Sequence, residues 1–335
     1  MSDYYEIKES YCTRFNIGKP PLPYFVGKEF TVRSHIPPAL VRKYYEGFSL
    51  EPDGRLERCQ KHPLERCLLH PPSPGHAGDQ VVRFRISREV RFGDKHRSQI
   101  AAVDILDVKP TKDQGPHPNM TLIAKFYDPL YNDHDTDLTD IFTLVDFSYS
   151  DEAAAYLALE PLQGNAIPKY YGSFTLELPV PEHKTNRLVR LSLLEIVPGQ
   201  AMSTLNPEDF SQRDRQMIMK NIIDTETLLH THGVMHEDLW PRNIMINSKA
   251  KVNRQVVVID FEDYRFMTSS QFHGITISPL LRWNKKSGRT FEFEGWIDWD
   301  WQSWLELTYE DTRDSITEEM RAFWMPREVE WPGWG

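Results

Sequence analysis

The chain has 335 residues, of which 40% are hydrophobic and 12% aromatic, which is typical of a globular protein and argues against wholesale disorder. Acidic residues outnumber basic residues by 49 to 39, and a net charge of -10 gives no general attraction to nucleic acid or an anionic membrane. No apolar run approaches the roughly 18 residues of a membrane span, and the 3 cysteines do not suggest a disulfide scaffold. We therefore expect a soluble, cytoplasmic protein that binds neither nucleic acid nor membrane.

Residues 1–78 are predicted to form an N-terminal extension that is partly irregular, because the segment is rich in proline and the run Pro71-Pro72-Ser73-Pro74-Gly75 marks a boundary. The extension also carries two adjacent Cys-x2-His copies. Their members are Cys59, His62, Cys67 and His70. Four such side chains could bind a tetrahedral zinc ion. A duplicated loop segment whose thiols and imidazoles never converge is the favoured alternative.

Strands dominate the next part of the chain. Apolar and charged residues alternate with period two from Val81 to Phe92, which is typical of half-exposed antiparallel strands. Further strands are predicted over residues 100–108, 122–127, 170–178 and 188–197, with one helix over residues 151–162.

The C-terminal part is predicted to be mainly helical. A long helix should run from about Glu208 to His230, with Asn206 as its cap. Two short strands follow, over residues 243–246 and 256–259. Eight of the 9 tryptophans lie between Trp283 and Trp334. Their helical spacing favours a packed tail, and an aromatic platform for a flat or cationic substrate is the alternative. This order of elements predicts an α+β fold.

Three polar residues in this part have the spacing of a phosphotransfer site. Asn243 follows Asp238 by five residues, and Asp260 ends an apolar strand seventeen residues later. Phosphorylation of a hydroxyl needs a carboxylate beside the attacking oxygen and oxygen ligands that hold magnesium on the phosphates. The spacing suits Asp238 as the base and Asn243 and Asp260 as metal ligands. The alternative is a chance set of polar loop residues.

Lys125 stands inside an apolar strand, where a cation is destabilising unless it has a partner or a phosphate. Glu152, near the start of the next predicted helix, is the expected partner. A lysine whose stem packs on the strand while its ammonium reaches water is the alternative.

Two stretches, HEDLWPRNIMI and VVVIDFEDY, together resemble the catalytic loop and metal-binding segment of the protein-kinase-like superfamily. His236, Asp238 and Asn243 match the loop pattern H-x-D-x-x-x-x-N, and Asp260-Phe261-Glu262 matches the metal-binding motif. The two stretches most resemble the aminoglycoside phosphotransferase and choline kinase branch. Glutamate in the third position is similar to choline and ethanolamine kinases, where protein kinases carry glycine. The chain also resembles fungal kinase-like proteins.

This resemblance implies a two-lobed fold, with an antiparallel N-lobe sheet over residues 79–197 and a reduced helical C-lobe with a Trp-rich tail over residues 198–335. It implies ATP and Mg²⁺ as cofactors and an ion pair between Lys125 and Glu152 that holds the ATP phosphates. It also places the adenine-binding hinge around Glu195 and Val197. His236 is expected to pack beneath the loop rather than act as a base.

Two features depart from the pattern. Gly93 is the sole glycine between Val81 and Ile100, where the superfamily has a glycine-rich phosphate loop, and about 75 residues follow Asp260. The short remainder favours a small-molecule acceptor over a protein substrate. Asp298 and Asp300 could attract an amine-bearing acceptor. The alternatives are a pseudokinase scaffold and an enzyme of another class, a ligase or acyl-transfer catalyst of specialised metabolism.

Overall fold

The computed structural model describes residues 19–38, 57–58, 60–94, 96–132, 140–247, 254–266 and 278–324. Within these ranges the fold mixes helices with antiparallel sheets, so the α+β class predicted from the sequence is confirmed. The chain divides into two compact units. The first consists of Met1–Ala154 and Lys169–Ile196, and the second of Ala155–Pro168 and Val197–Gly335.

The sheet of the first unit closes on itself. Its strands are β1 (Glu29–Ile36), β2 (His76–Arg91), β3 (Gln99–Lys109), β4 (Thr121–Tyr127), β5 (Tyr170–Val180) and β6 (Thr185–Glu195). They form a closed barrel in the order β1-β2-β3-β4-β6-β5, and each pairs antiparallel with its neighbour. The period-two pattern that predicted β2 separates its buried residues Val82, Phe84 and Ile86 from exposed arginines between them.

Strand β1 lies in the segment for which we predicted no strand. Phe30 and Val32 alternate with exposed residues and are buried, and β1 pairs with β2 on one side and with β5 on the other. The signal is therefore present in the sequence, but it is short, and Pro23 and Pro37 on either side of it indicate loops. Proline ends a strand without preventing one from forming between two prolines.

Aromatic rings fill part of the barrel interior. Tyr24 stacks on Phe126 with 4.4 Å between ring centroids, and Phe30 meets Phe84 edge-on at 6.1 Å. All four rings are buried. Since each such side chain contributes roughly 1.5–3 kcal/mol when removed from water, the cluster is a main source of stability for the closed sheet.

A buried ion pair lies beside these rings. Arg187 on β6 donates two hydrogen bonds, of 2.6 and 2.9 Å, to the carboxylate of Asp128, which follows β4. The hydroxyl of Tyr24 donates to the same carboxylate at 2.6 Å. Burial, followed by the charge of Asp128, raises the pKa of Tyr24 well above its ordinary value. The network joins two strands to the segment that precedes β1.

The described part of the first unit contains the helices α1 (Pro63–Leu69) and α2 (Ile141–Ala158), the latter except for its last four residues, which belong to the second unit. Helix α2 begins ten residues before the helix that we predicted over residues 151–162, so that prediction was wrong at its start. Its first turns contain Ile141, Phe142 and Val145, residue types of modest helix propensity, but all three are buried. Tertiary packing therefore outweighs local preference here.

Helix α3 (Gln212–Thr231) is the long helix of the second unit. Its N-cap is Ser211, whose hydroxyl accepts a backbone hydrogen bond in the first turn. We predicted that the helix starts near residue 208 with Asn206 as its cap. Asn206 instead caps a separate 3-10 turn, Pro207–Asp209.

Short strands complete the second unit. They are β7 (Gln200–Ala201), β8 (Val234–His236), β9 (Ile244–Ile246), β10 (Val256–Val258) and β11 (Tyr264–Phe266). Strands β10, β9 and β7 form one antiparallel sheet, and β11 pairs with β8 in another. Strands β9 and β10 lie within one residue of their predicted positions, because short apolar runs bounded by polar residues are strong signals for buried strands.

The C-terminal tail contains α4 (Pro279–Arg282), α5 (Trp301–Thr308) and α6 (Glu318–Trp324). The indole of Trp301 donates a 2.8 Å hydrogen bond to the carbonyl of Trp283, and both rings are buried. The packed tail that we predicted is thus confirmed for these two tryptophans, while Trp331 and Trp334 lie outside the described residues.

Turns of 3-10 helix connect the longer elements. They are Pro129–Tyr131, Glu160–Leu162, Pro181–His183, Met202–Thr204, Pro207–Asp209, Pro241–Asn243, Lys285–Ser287, Arg289–Trp296 and Glu310–Ser315. Over the ranges that the structure describes, no helix is long and apolar enough to cross a membrane.

We expect the Arg187→Met variant to lower the free energy of unfolding of the first unit by about 3–5 kcal/mol, because it leaves the Asp128 carboxylate buried without its partner. The matched control is Arg85→Met, which removes an exposed pair with Glu29 and should cost less than about 1 kcal/mol. Urea unfolding measures both. Equal losses of unfolding free energy in the two variants would show that the buried ion pair is no more stabilising than the exposed one.

Candidate active site

Lys125 lies on β4 in the first unit and is only 3% exposed. Its Nζ is 2.7 Å from Oε1 of Glu152, which α2 presents and which is fully buried. An ammonium in this position needs a counter-charge to offset its lost hydration. The structure therefore brings together the two residues that we paired from the sequence.

Tyr127 is a third member of this group, and our sequence analysis missed it. Its hydroxyl donates to Oε2 of Glu152, and its ring centroid is 5.8 Å from the Nζ of Lys125. Both carboxylate oxygens of Glu152 are thus engaged. A signal was available, because Tyr127 follows Lys125 by two residues and side chains two apart lie on the same side of a strand.

In the second unit, Asp238 and Asn243 are held together by the loop between β8 and β9. The amide nitrogen of Asn243 donates to the backbone carbonyl of Asp238 at 2.9 Å and to its Oδ2 at 2.7 Å. These contacts use both amide N–H groups, so Oδ1 is the atom of Asn243 that is suited to bind a cation. The same contacts orient the Asp238 carboxylate.

The pairing of β9 with β10 determines the position of Asp260. Val258 is opposite Ile244, and the backbone N–H of Ile259 donates to the carbonyl of Asn243 at 2.9 Å. Asp260 is therefore the residue directly after this contact. Its φ of 66° lies in the left-handed region, which costs a non-glycine residue on the order of 1 kcal/mol and is often seen at functional sites.

His236 packs against the loop that carries Asp238 and Asn243 and holds it in place. The ring is 2% exposed; its Nδ1 accepts from the backbone N–H of Asp238 at 3.2 Å, and Nε2 contacts the carbonyl of Ile259 at 3.2 Å. Burial lowers the pKa of His236, which favours a neutral ring with one donor and one acceptor. This geometry agrees with a structural residue rather than a general base.

Arg242 is a further residue that we missed. Its guanidinium donates to Oδ1 of Asp238 and lies 4.8 Å from the ring centroid of Trp240. Protein kinases often have a lysine where this chain has Trp240. In this chain Arg242, two residues after Trp240, gives the loop its positive charge. The sequence does contain a signal for this ion pair, because Arg242 follows Asp238 by four residues.

The two proposed hinge residues lie where the chain passes from the first unit to the second. Glu195 ends β6, and its backbone N–H and carboxylate bond the backbone of Lys169 at 2.9 and 3.0 Å. Val197 is half-buried and begins the second unit. Their role in adenine binding stays a prediction.

Magnesium prefers oxygen ligands, and the residues present fit that preference. The donor set comprises the carboxylate of Asp260 and the amide oxygen of Asn243, and Asn243 is held in place by two hydrogen bonds to Asp238. These residues could hold the ion without a change in their chemistry.

The zinc site that we considered in the extension finds no support. His62 caps α1 through its Nδ1, Cys67 is buried, and His70 bonds Glu57 at 2.8 Å. Burial raises the pKa of the Cys67 thiol to about 12, so the thiolate that zinc requires is disfavoured. Cys59 lies outside the described residues, and within those residues no group of three or more His, Cys, Asp or Glu is arranged for a metal ion.

Two comparisons with known proteins bear on this site. A model of the lipopolysaccharide kinase (Kdo/WaaP) family matches residues 200–303, which include the whole loop and Asp260. Serine/threonine-protein kinase 17A of Oryctolagus cuniculus is 34% identical over 64 residues, which is 19% of this chain and 16% of that protein. Both matches support a kinase-like protein, as the resemblance predicted, and the first supports a phosphotransferase. The matched segments are partial, so the finer branch stays a prediction.

We expect the free energy of unfolding to fall as the pH drops from 7 to 5. Near its ordinary pKa of about 6.5 an unfolded histidine takes up a proton, whereas burial lowers the pKa of His236 in the folded state, so acid favours unfolding by up to about 1.4 kcal/mol per pH unit for this residue. Burial also lowers the pKa of His35 and His230, which add to the effect.

The His236→Gln variant should show a shallower slope of unfolding free energy against pH over this range. Exposed His183 supplies the matched control, since His183→Gln should leave the slope as it is in the unmodified chain. Denaturant titrations at several pH values measure both. An unchanged slope in His236→Gln would contradict the neutral, buried ring.

Proposed function

We propose that this chain is an ATP-dependent phosphotransferase with a two-lobed, kinase-like fold that transfers the γ-phosphate to a hydroxyl of a small molecule. The observation that carries the proposal is the hydrogen-bonded pair of Asp238 and Asn243, with Asp260 directly after the strand that pairs beside Asn243. The family match over residues 200–303 covers all three residues and supports the same conclusion.

Each residue has one role in this proposal. Asp238 orients the acceptor hydroxyl and takes its proton as the new O–P bond forms and the bond to the β-phosphate oxygen breaks, which releases ADP. Asn243 and Asp260 would hold Mg²⁺, which when bound would neutralise charge on the phosphates. Lys125, fixed by Glu152, binds phosphate oxygens, and Arg242 holds Asp238 in place.

The acceptor is best described as a hydroxylated small molecule. The lipopolysaccharide kinase match supports a sugar-like or other small acceptor. The two acids that we considered for an amine are engaged internally, since Asp298 pairs with Arg215 and Asp300 caps α5. Neither therefore supports an amine group on the acceptor.

A kinase-fold protein without phosphoryl transfer is the second candidate, and one observation favours it. In the turn between β2 and β3, the backbone N–H and carbonyl of Gly93 are bonded to the side chain of Gln99 at 2.7 and 3.1 Å. This amide is not free for a phosphate, whereas a glycine-rich loop would supply several. A scaffold, or a repurposed ligase or acyl-transfer enzyme, would tolerate that arrangement.

The match to a serine/threonine-protein kinase covers too little of either chain to favour a protein substrate. The division of the chain into an extension over residues 1–78 and lobes over residues 79–197 and 198–335 is likewise a proposal, as is a cytoplasmic location.

We expect Mg²⁺-dependent binding of ATP in isothermal titration calorimetry, and its loss in Asp260→Ala, because that variant removes a charged ligand of the metal. The matched control is Asp263→Ala, an exposed acid three residues away that should leave binding unchanged. If neither the unmodified chain nor the control binds ATP, the nucleotide site is not functional. That outcome would favour the second candidate, a kinase-fold protein without phosphoryl transfer.

Asp238→Asn should leave ATP affinity within about threefold of the unmodified value but lower the transfer rate by about 10²–10⁴, the usual contribution of general-base catalysis. The measurement is ADP release over a panel of sugars and other hydroxylated metabolites. Exposed Glu237→Gln is the control and should keep full activity. ATP binding with no transfer to any member of the panel would favour the repurposed enzyme.

A further inference from the structure

A cavity of about 400 Å³ lies in the first unit and is lined by residues of the first three turns of α2. Residues of β4 and β6 and the segment over residues 69–73 also line it. Neither Lys125 nor Glu152 lines it. A volume of this size is within the range of small-molecule sites, and none of the roles proposed above uses it.

The walls of this cavity are rich in aromatic rings. Tyr127, Phe142, Phe147 and Tyr149 all line it, three of them from α2. Tyr127 and Tyr149 meet edge-on, with 5.4 Å between ring centroids. The face of an aromatic ring attracts a cation, and several rings around one space are the usual surroundings of a bound organic ammonium group.

The charged groups of the lining carry a net negative charge. Asp140 and Asp146 are half-buried and line the cavity, and their carboxylates accept hydrogen bonds at the start of α2 and from the backbone of Ser73. Among these lining residues Arg190 carries a positive charge, and the ring of His70 is bonded to Glu57.

The Nη1 and Nη2 groups of Arg190 are bonded to the protein itself. The residue is 4% exposed, and its guanidinium donates to the carbonyl of Ser73 at 2.6 Å, to that of Pro74 at 3.3 Å and to the hydroxyl of Thr175. These three acceptors hold the guanidinium of Arg190 in the wall of the cavity. One arginine against two carboxylates leaves the cavity with an excess of one negative charge.

We propose that this cavity binds a small organic cation, an amine or quaternary ammonium group carried by an aromatic or aliphatic body. The ammonium contacts the carboxylates of Asp140 and Asp146, and the apolar body packs against the tyrosine and phenylalanine rings.

The same cavity is joined to the Lys125–Glu152 pair. Tyr127 forms a wall of the cavity, and its hydroxyl donates to Oε2 of Glu152. Val145 and Tyr149 pack with Tyr127 in one small core cluster. An occupant that restrains these side chains also restrains Glu152 and, through it, Lys125. The cation is therefore an effector of the phosphate-binding lysine, a statement that rests on the proposed function.

Calorimetric titration tests the site itself. The probes are phenethylamine and benzyltrimethylammonium, and the matched controls of similar size are 3-phenylpropionate and 2-phenylethanol. We expect both cations to bind at least about tenfold more tightly than either control, a difference of about 1.4 kcal/mol. Equal or tighter binding of 3-phenylpropionate overturns the charge assignment, and no binding of either cation overturns the site.

Two isosteric variants locate the binding. Asp140→Asn and Asp146→Asn keep a hydrogen-bond acceptor for the start of α2 and for Ser73, so both should fold, and each should weaken cation binding about tenfold. Asp79→Asn removes an exposed acid that does not line the cavity and should leave the affinity unchanged. Unchanged affinity in both cavity variants places the cation elsewhere and overturns the proposal.

Hydrogen exchange tests the link to Glu152 without any nucleotide. Phenethylamine should slow exchange of the α2 amides around Glu152 in the unmodified chain. Tyr127→Phe keeps the ring but removes the hydroxyl contact, so it should keep cation binding and lose this protection. Equal protection in the variant overturns the link through Tyr127. A chain that binds the cation but no Mg·ATP would refute the proposed function and leave the cavity site standing.

Discussion

The first unit depends on the cost of burying the ammonium of Lys125, which lies on β4 between the barrel-core residues Ala124 and Phe126 and therefore on the opposite face of the strand. A buried charge without a partner is destabilising by several kcal/mol, so α2 must lie where Glu152 can reach the lysine. Tyr127 occupies the second oxygen of that carboxylate and so limits the positions that α2 can take. The first turns of the same helix line the aromatic cavity. One ion pair thus fixes both the buried lysine and the helix that lines this cavity.

A different constraint organises the second unit, where the candidate site depends on strand register rather than on charge. Because β9 and β10 pair with Ile244 opposite Val258, the residues that flank the two strands, Asn243 and Asp260, must be near each other. A register shifted by one residue would turn the side chains to opposite faces. His236, kept neutral by burial, bonds the loop to the end of this hairpin and holds Asp238 in reach of Asn243.

The departures from the kinase pattern are local and have a physical meaning. Gly93 offers its amide to Gln99, so phosphate oxygens would rely more on Lys125 and the metal than on backbone amides. Arg242, stacked on Trp240, places a guanidinium at Asp238 where a lysine is common in protein kinases. With both changes, phosphate binding and the positioning of Asp238 would depend on side chains rather than on backbone amides. This arrangement suits either a slow phosphotransferase or a protein with other chemistry.

The sequence by itself determined the α+β class, most of the strands and the grouping of Asp238, Asn243 and Asp260, because period-two alternation and motif spacing are local properties. It also paired Lys125 with Glu152, since a cation in an apolar strand needs an anion. Only the tertiary structure decided that β1 closes the barrel, that α2 begins at Ile141, and that His62, Cys67 and His70 belong to no metal-binding group among the residues that the structure describes. The contacts of Tyr127 and Arg242 were likewise decided by the tertiary structure, since their spacing along the chain suggests these contacts but does not require them. Such features depend on which surfaces meet in space, and burial there outweighs the local preferences of the chain.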